Sequence, residues 1–313
     1  MIGRNIGDYR ILARFDLGES GAVFKSVHTH LRQTFLLKLL QGQLDRAIPQ
    51  HHQFIEDIQL TAYLDHPQIV RTLPLEFYEE LTVIPMEFIY GHELSEKIAD
   101  GKCPEEMVHK VALQAAEALL TAHHVGLIHG RMTSNNLLLT QEGDLKILEF
   151  GFTSLPEELL FNDTEDLPHL NLPLPPRRPP LSRYAYLAPE QVNGSRPEGS
   201  SDLFALGVIL YELLIGEFLF LGTDVQELYR QIQQRELPSV ETMRPGINRG
   251  LARIVSSLLQ KDPAKRYPSA EFLLEDLRRI RTGEPVDRLS FQPKDSAFSR
   301  RSFFRRFVGD HEH

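Results

Sequence analysis

The polar residues best suited to chemistry are concentrated in one stretch, LIHGRMTSNNLLLTQEGDLKILEFG, which runs from Leu127 to Gly151. Asn136 offers an amide oxygen and Glu149 a carboxylate, and oxygen ligands of this kind bind Mg²⁺ when they meet its octahedral geometry. Arg131 stays protonated at any relevant pH, so it donates hydrogen bonds and cannot accept a proton. The stretch therefore offers metal ligands and a cation, but its loop has no evident general base.

Two further features could bind phosphate groups. The segment LGESG, from Leu17 to Gly21, has glycines where backbone N–H groups could approach an anion without a collision from side chains. An ordinary β-hairpin turn would use the same residues, and that alternative stays open. Lys38 interrupts the apolar run TFLLKLL, so it adds a positive charge inside a predicted strand.

Apolar patterns predict the elements that must position these residues. Strands bounded by turn residues are predicted at Tyr9–Leu12, Ala22–Val27, Thr34–Leu40, Leu73–Phe77 and Leu81–Phe88. Helical spacing predicts helices at Gln50–Leu64, after Pro104, and at Phe204–Ile215, Leu251–Gln260 and Ala270–Ile280. The third of these is apolar on nearly all sides, which predicts a buried central helix. A small strand-rich part is thus followed by a larger helical part.

Composition limits the class of protein. A chain of 313 residues with 42% hydrophobic content is long enough for two cores. With 34 basic and 43 acidic residues its net charge is −9, which argues against nucleic acid as a partner. The single cysteine, Cys103, cannot form a disulfide within the chain and favours a reducing compartment. Because no apolar run has signal-peptide or transmembrane length, we expect a cytoplasmic protein.

Further motifs follow one another in a fixed order. They are DHPQIV at Asp65–Val70, PMEFI at Pro85–Ile89, YLAPEQ at Tyr186–Gln191, SDLFALG at Ser201–Gly207 and KDPAKRY at Lys261–Tyr267. Together with the stretch described first, they make residues 9 to about 282 resemble a protein kinase domain of the bacterial, eukaryotic-like serine/threonine type. Each motif alone is weak evidence, but the ordered set is specific.

The resemblance implies an α+β fold with two lobes. The N-lobe, residues 1–88, would be a small antiparallel β-sheet with one helix, and the C-lobe, residues 89–282, would be mainly α-helical. Residues 149–190 would form the activation segment, and residues 283–313 a basic-aromatic tail. The family also implies two structural contacts: Glu190 would pair with Arg266, and Asp202 would brace the loop that begins at His129.

The same resemblance implies a nucleotide site, with ATP and Mg²⁺ as cofactors. Lys38 would hold the α- and β-phosphates and pair with Asp57 of the first helix. Asn136 and Glu149 would bind the metal. The other positions that would contact the nucleotide are Gly18, Gly21, Val23, Glu87, Ile89 and Leu138.

The chain departs from the kinase pattern at positions that take part in phosphoryl transfer and in adenine binding. The spacing from His129 to Asn136 matches the kinase loop, so Arg131 stands at the position of the proton-accepting aspartate, and no shift of register can supply one. Thr133 stands where a lysine would face the γ-phosphate. Leu36 replaces the alanine that would cover adenine, which adds three carbons to a close-packed pocket. No catalytic residue is therefore expected to be functional.

Other departures concern phosphate and metal binding. The glycine loop is two residues shorter than the kinase pattern, and Gly130 and Arg183 replace an arginine and a threonine of the same site. Glu149 is one methylene longer than the usual aspartate. It could bind Mg²⁺ in a shifted position, or it could form an ion pair with Lys38 or Arg131 and close the site.

These departures predict a pseudokinase, a scaffold or allosteric regulator of other signalling proteins with weak or absent ATP binding. The alternatives are a weak or atypical serine/threonine kinase and a nucleotide or anion sensor. The insert PLPPRRPP, at Pro173–Pro180, could dock a proline-recognition domain or be disordered. The tail FSRRSFFRRF, from Phe298 to Phe307, could contact an anionic membrane or a partner, or fold back on the domain.

Overall fold

The computed structural model describes residues 3–15, 22–159, 181–284 and 286. The chain divides into two compact units. The first comprises Met1–Glu93 and Asn135–Arg183, and the second comprises Leu94–Ser134 and Tyr184–His313. Each unit is therefore assembled from separate stretches of chain. The predicted domain bounds at residues 88 and 282 stay a prediction.

Three sequence features lie outside the described residues. They are the glycines Gly18 and Gly21, the proline-rich insert Pro173–Pro180, and the basic-aromatic tail from residue 287 onward. Their predicted roles stay predictions.

An antiparallel sheet forms the larger part of the first unit. Its described strands follow the order β1-β2-β3-β4-β6-β5, with the bounds β1 Asn5–Ile6, β2 Tyr9–Phe15, β3 Ala22–His28, β4 Thr34–Gln41, β5 Glu76–Tyr78 and β6 Leu81–Glu87. Alternate side chains of a strand point to opposite faces of the sheet. Strand β4 therefore contributes Leu36 and Leu40 to one apolar core and Leu37 and Leu39 to another.

Helix α1, Pro49–Tyr63, covers the first of these cores. A proline in its first turn suits a position whose N–H has no partner in the helix. Phe54 and Ile58, four residues apart on one face, are fully buried against the core that contains Leu36. The helix is thereby fixed to the face of the sheet from which Lys38 extends.

The predicted strand at Leu73–Phe77 is wrong in its bounds. Strand β5 begins only at Glu76, two residues after Pro74. The N–H of Leu73 donates to the Pro85 carbonyl of β6 at 2.8 Å, but Pro74 has no N–H with which this pairing could continue into β5.

A second antiparallel sheet belongs to the same unit. Its described strands are β7 Gly91–Glu93, β8 Leu137–Thr140 and β9 Leu145–Ile147, in that order. A tight turn joins β8 to β9, with the N–H of Gly143 donating to the Thr140 carbonyl at 3.0 Å. The chain leaves β9 directly into the Glu-Phe-Gly turn, and a 3₁₀ turn at Glu157–Leu159 follows.

The described part of the second unit is helical. Its helices are α2 Leu94–Ala99, α3 Glu105–His124, α4 Pro189–Val192, α5 Gly199–Ile215, α6 Val225–Gln234, α7 Val240–Met243, α8 Arg249–Leu258 and α9 Ala270–Thr282. Helix α5 is buried from Ser201 to Ile215 and packs against α2, α3, α7 and α8, which confirms the predicted central helix. Among the described residues, no helix has the length and apolar character needed to cross a membrane.

Candidate functional site

Lys38 and Glu149, two of the predicted site residues, form an ion pair inside the first unit. Lys38 Nζ lies 2.5 Å from Glu149 Oε1, and the two side chains are 0% and 9% exposed. The amine also lies 4.5 Å from the ring centroid of Phe152, which is a cation–π distance. The structure thus contains the Lys38–Glu149 pair that the sequence left as one alternative.

The turn that carries Glu149 is shaped for a close approach to α1. Glu149 has a φ of 65°, in the left-handed region that costs a residue with a Cβ roughly 1–2 kcal/mol. Gly151 has a φ of 83°, and a Cβ there would lie 2.6 Å from Thr61 Oγ1 and 2.8 Å from the Asp57 carbonyl oxygen. Glycine at this position lets the turn contact α1. We infer that the pair with Lys38 holds Glu149 in its strained conformation.

Asp57, the predicted partner of Lys38, is buried on α1. Its Oδ1 accepts a hydrogen bond from Gln53 Nε2 at 3.0 Å, and its Oδ2 accepts one from Ser154 Oγ at 2.5 Å. The second bond ties α1 to the segment that follows Gly151. The predicted Lys38–Asp57 pair stays a prediction.

The side chains predicted to enclose adenine belong to the core of the first unit. Val23 of β3, Leu36 of β4 and Leu138 of β8 are at most 2% exposed and pack in one cluster with Met86. Ile89, another predicted contact, is partly buried against the same cluster. Interiors of this kind contain few voids larger than a water molecule. Val23, Leu36 and Leu138 therefore pack against one another in the described part of the first unit, and we derive no reaction step through ATP.

Glu87, predicted to contact the nucleotide, has contacts within the first unit. Its Oε1 accepts a hydrogen bond from Lys146 Nζ at 2.7 Å and another from the N–H of Arg71 at 3.1 Å. Next to it, the ring centroid of Phe88 lies 4.3 Å from Lys25 Nζ. Lys25 and Lys146 thus place two cations along this segment.

The loop that begins at His129 is held by α5 within the second unit. The N–H groups of His129 and Gly130 donate to the two carboxylate oxygens of Asp202, at 2.9 and 2.7 Å. His123 Nε2 lies 2.8 Å from the same carboxylate. The predicted brace between Asp202 and this loop is confirmed. Gly130 has a φ of 68°, which glycine adopts without strain, so the change from arginine suits the backbone of this loop.

Arg131 and Thr133 follow in the same loop. Arg131 is half-buried and Thr133 is buried. Because Asp202 holds the backbone of the two preceding residues, Arg131 takes the position that the resemblance gives to the catalytic base. The sequence between His129 and Asn136 contains no aspartate or glutamate. The loop therefore has no carboxylate that could accept a proton.

A chain of hydrogen bonds leads from this loop into the core of the second unit. Ser134 Oγ lies 2.7 Å from the hydroxyl of Tyr186, which donates to Glu212 Oε2 at 2.8 Å. All three side chains are buried. The sequence analysis missed this chain. One signal was available, because Glu212 interrupts an apolar helix and a buried carboxyl needs hydrogen-bond partners.

The predicted pair between Glu190 and Arg266 is confirmed. The guanidinium donates two parallel hydrogen bonds, each 2.7 Å long, to the two carboxylate oxygens. Burial alone would raise the pKa of Glu190, but the hydrogen bonds from Arg266 hold it below its usual value.

Asn136 and Glu149 were predicted to bind a metal. Asn136 is buried, and its backbone carbonyl accepts a hydrogen bond from the N–H of Leu148 at 2.9 Å, which leaves the role of its side-chain amide a prediction. A Mg²⁺ ion on Glu149 would have to compete with the buried amine of Lys38. In residues 3–15, 22–159, 181–284 and 286, no group of three or more His, Cys, Asp or Glu side chains is placed to hold a metal ion.

Comparison with known proteins agrees with this architecture. The family model described as protein kinase domain matches residues 9–277. PrkC of Bacillus subtilis is 27% identical over 292 residues, which cover 93% of this chain and 43% of PrkC. PknB of Mycobacterium leprae is also 27% identical, over 88% of this chain and 44% of PknB. A probable serine/threonine-protein kinase of Clostridium perfringens is 27% identical, over 90% of this chain and 39% of its own length.

The chain thus spans less than half the length of these curated relatives. Among solved structures, the kinase domain of PknI from Mycobacterium tuberculosis matches with a TM-score of 0.66 at 21% identity, over 89% of this chain and 98% of that domain. This likeness shows the two-lobed kinase fold, with an antiparallel β-sheet N-lobe and a helical C-lobe. Because the family model covers more than half of its length, the chain belongs to the protein kinase family, and serine/threonine kinases of bacteria are among its relatives.

Proposed function

We propose that this chain is a pseudokinase. It keeps the kinase fold, transfers no phosphate, and binds ATP weakly or not at all. It acts by binding, as a scaffold or allosteric regulator of other signalling proteins. We place this role in the cytoplasm, where the buried thiol of Cys103 would stay reduced.

The observation that carries the proposal is the arginine at the position of the base. Phosphoryl transfer in this family depends on placement and charge, with an aspartate that accepts the proton of the substrate hydroxyl. Arg131 cannot accept that proton, and Asp202 keeps the loop in its family register. A misplaced loop therefore does not account for the missing base. The contacts that position the loop are retained, but the residue that would accept the proton is not.

The core of the first unit supports the second part of the proposal. Leu36 is fully buried at the position where the family has a smaller alanine, and it packs with Val23 and Leu138. Lys38, the residue that would hold the phosphates, is fully buried and bound to Glu149. A nucleotide would have to separate these apolar side chains and release this amine. Both steps cost free energy before any contact with ATP is gained.

A matched pair of truncations tests nucleotide binding. Leu36→Ala and Leu37→Ala each remove a fully buried leucine side chain of β4, but on opposite faces of the sheet. Each is expected to lower the free energy of unfolding by about 2–5 kcal/mol. Millimolar Mg-ATP is expected to leave the melting temperatures of the wild type and Leu37→Ala unchanged and to raise only that of Leu36→Ala. At a ligand concentration of about 100 Kd, the gain would be about 2.7 kcal/mol.

The outcomes separate the alternatives. A clear Mg²⁺-dependent rise in the melting temperature of the wild type would contradict the absence of ATP binding and favour a nucleotide sensor. Phosphorylation by the purified wild type that disappears in Lys38→Met would contradict the pseudokinase itself. The double variant Arg131→Asp/Thr133→Lys is expected to stay inactive, because it restores the base but leaves Leu36 in place. Activity in that variant would show that only the base is missing.

A further inference from the structure

A short loop between α5 and α6 forms one wall of an open surface groove in the second unit. We call residues 216–221 the latch loop. The groove has a volume of about 610 Å³. Its lining residues come from the loop and from α6 with the residue after it: Glu217, Phe218, Leu219, Leu221, Arg230, Gln231, Gln234 and Arg235. Phe218 and Leu221 are large apolar side chains that remain exposed at this wall.

On one side, the latch loop is attached to the buried carboxyl of Glu212. Glu212 Oε1 accepts a hydrogen bond from the N–H of Leu219 at 2.9 Å, and Oε2 accepts the hydroxyl of Tyr186 at 2.8 Å. Helices α2, α3, α7 and α8 also pack against α5, but no charged side chain among the described residues contributes to the pKa shift of Glu212. In the described part of the chain, the Glu212 carboxyl thus has two neutral hydrogen-bond partners, the Leu219 N–H and the Tyr186 hydroxyl.

On the other side, the latch loop is attached to α6 and to Lys261. Arg235 Nη1 donates to the Leu219 carbonyl at 2.7 Å, and Gln231 Nε2 donates to the Leu221 carbonyl at 2.6 Å. Lys261 Nζ lies 5.2 Å from the ring centroid of Phe220, and it donates to a carbonyl oxygen near the end of α6. Leu219 is therefore held through both its N–H and its C=O.

We propose that the latch loop is a proton-responsive wall of this groove, which the Glu212 carboxyl holds against α5 while it is protonated and releases when it ionises. A neutral carboxyl can stay buried, with its own O–H donating to the Tyr186 oxygen and its other oxygen accepting from the N–H of Leu219, because the Tyr186 hydroxyl can then donate to Ser134 Oγ, 2.7 Å away. An ionised one gains from water, and water reaches it when the loop moves away from α5. The device lies in the helical unit and does not depend on the proposed loss of ATP binding.

The pKa of Glu212 gives the direction of the response. Burial raises this pKa from 4.5 to about 8, although the bonds from Leu219 and Tyr186 act in the opposite direction. In the open loop the carboxyl meets water, and its pKa returns towards 4.5. Between these values opening releases a proton, so the opening constant rises with pH, by up to about tenfold per unit. Acidification below about pH 8 therefore holds the latch loop more firmly against α5.

Lys261 adds a second pH dependence to the opening of the latch loop, and it acts in the opposite direction to that of Glu212. Burial lowers its pKa from 10.5 to about 8, and the guanidinium groups of Arg266 and Arg235 lower it further. An open loop would hydrate the amine and return its pKa towards 10.5. Above about pH 8 opening then takes up a proton, so the opening constant falls as the pH rises. The latch loop is expected to be held least firmly near pH 8.

Amide hydrogen exchange of the full chain measures the opening directly. The readout is the amide of Leu219, with Leu277 of α9 as a remote reference in the same unit. After correction for the intrinsic exchange rate, the protection of Leu219 is expected to fall at least about tenfold from pH 6 to 8 and to recover above pH 9. The protection of Leu277 is expected to have no such minimum.

Three variants test whether Glu212 causes the fall in the protection of Leu219 and whether Lys261 causes its recovery. Glu212→Gln keeps the shape of the side chain and an acceptor for the Leu219 N–H, and its NH₂ group donates to Tyr186 as a protonated carboxyl would, so it is expected to abolish the fall below pH 8. Lys261→Met is expected to abolish only the recovery above pH 8. Tyr186→Phe removes a bond that lowers the pKa of Glu212, so it is expected to move the minimum to higher pH, which keeps the test available if Glu212→Gln does not fold. A wild-type profile without a minimum, or an unchanged profile in whichever of these variants folds, would overturn the proposal.

Discussion

Replacement of Lys38 by methionine is expected to lower the free energy of unfolding of the first unit by about 3–5 kcal/mol. Lys38 is fully buried and its amine lies 2.5 Å from Glu149. Methionine would fill much of the space but would leave a carboxylate, 9% exposed, without its cation. An uncompensated buried charge is among the costly defects in a protein interior. Chemical denaturation followed by circular dichroism measures the loss.

A double-mutant cycle separates the pair from the rest of the core. Lys38→Met/Glu149→Gln removes both charges, so it is expected to be more stable than Lys38→Met alone, with a coupling energy of about 2 kcal/mol or more. Lys25→Met is the matched control on the neighbouring strand, because Lys25 lies over Phe88 and is not fully buried. Its expected cost is below about 1 kcal/mol. A Lys38→Met protein as stable as this control would contradict a structural role for the pair.

The structural role of this pair also explains the backbone at Glu149. The residue has a φ of 65°, where glycine, asparagine and aspartate are the usual occupants. A glutamate there is strained, and it persists because surrounding contacts outweigh the strain. The longer side chain still reaches Lys38 at 2.5 Å. Glutamate in place of the family's aspartate at position 149 would weaken a magnesium site, but it is compatible with a stable core.

Much of the fold and its structural contacts could be predicted from the sequence, because they depend on motifs with fixed order and spacing. The contacts of Asp202 with the His129 loop, and of Glu190 with Arg266, follow from motif positions alone, and both are present. The central helix α5 was visible as an apolar run, because a helix that is apolar on all sides has to be buried.

The contacts that were missed join residues with no such spacing. Ser154 donates to Asp57 across 97 positions of sequence, and Tyr186 donates to Glu212 across 26. Hydroxyl groups can donate hydrogen bonds to many kinds of acceptor, so a serine or a tyrosine in the sequence does not identify the residue to which it donates. The groove beside the latch loop depends on such contacts as well. The strand at Leu73–Phe77 failed for another reason, because the pairing with β6 that begins at the N–H of Leu73 cannot continue through Pro74, which has no N–H to donate.

Replacement of Arg266 by lysine is the second change with a large expected effect, about 3 kcal/mol or more in the free energy of unfolding of the second unit. The side chain of Arg266 is 0% exposed, and each of its five N–H groups donates to an oxygen. Two of these bonds go to Glu190, and the others go to the carbonyls of Gln260, Ser200 and Lys261. An ammonium group has three donors and lacks the planar fork, so several buried oxygens would lose their partners.

Arg279→Lys is the matched control, because Arg279 pairs with Asp276 at 2.9 Å while its own side chain is 31% exposed. Its expected cost is about 1 kcal/mol or less. Thermal unfolding of both variants, read by a probe in the helical unit, checks the difference. Equal stabilities would mean that the Glu190–Arg266 pair is dispensable. A large loss at Arg266 alone would mean that the helical unit depends on the contact between Glu190 and Arg266 that the motif positions predict.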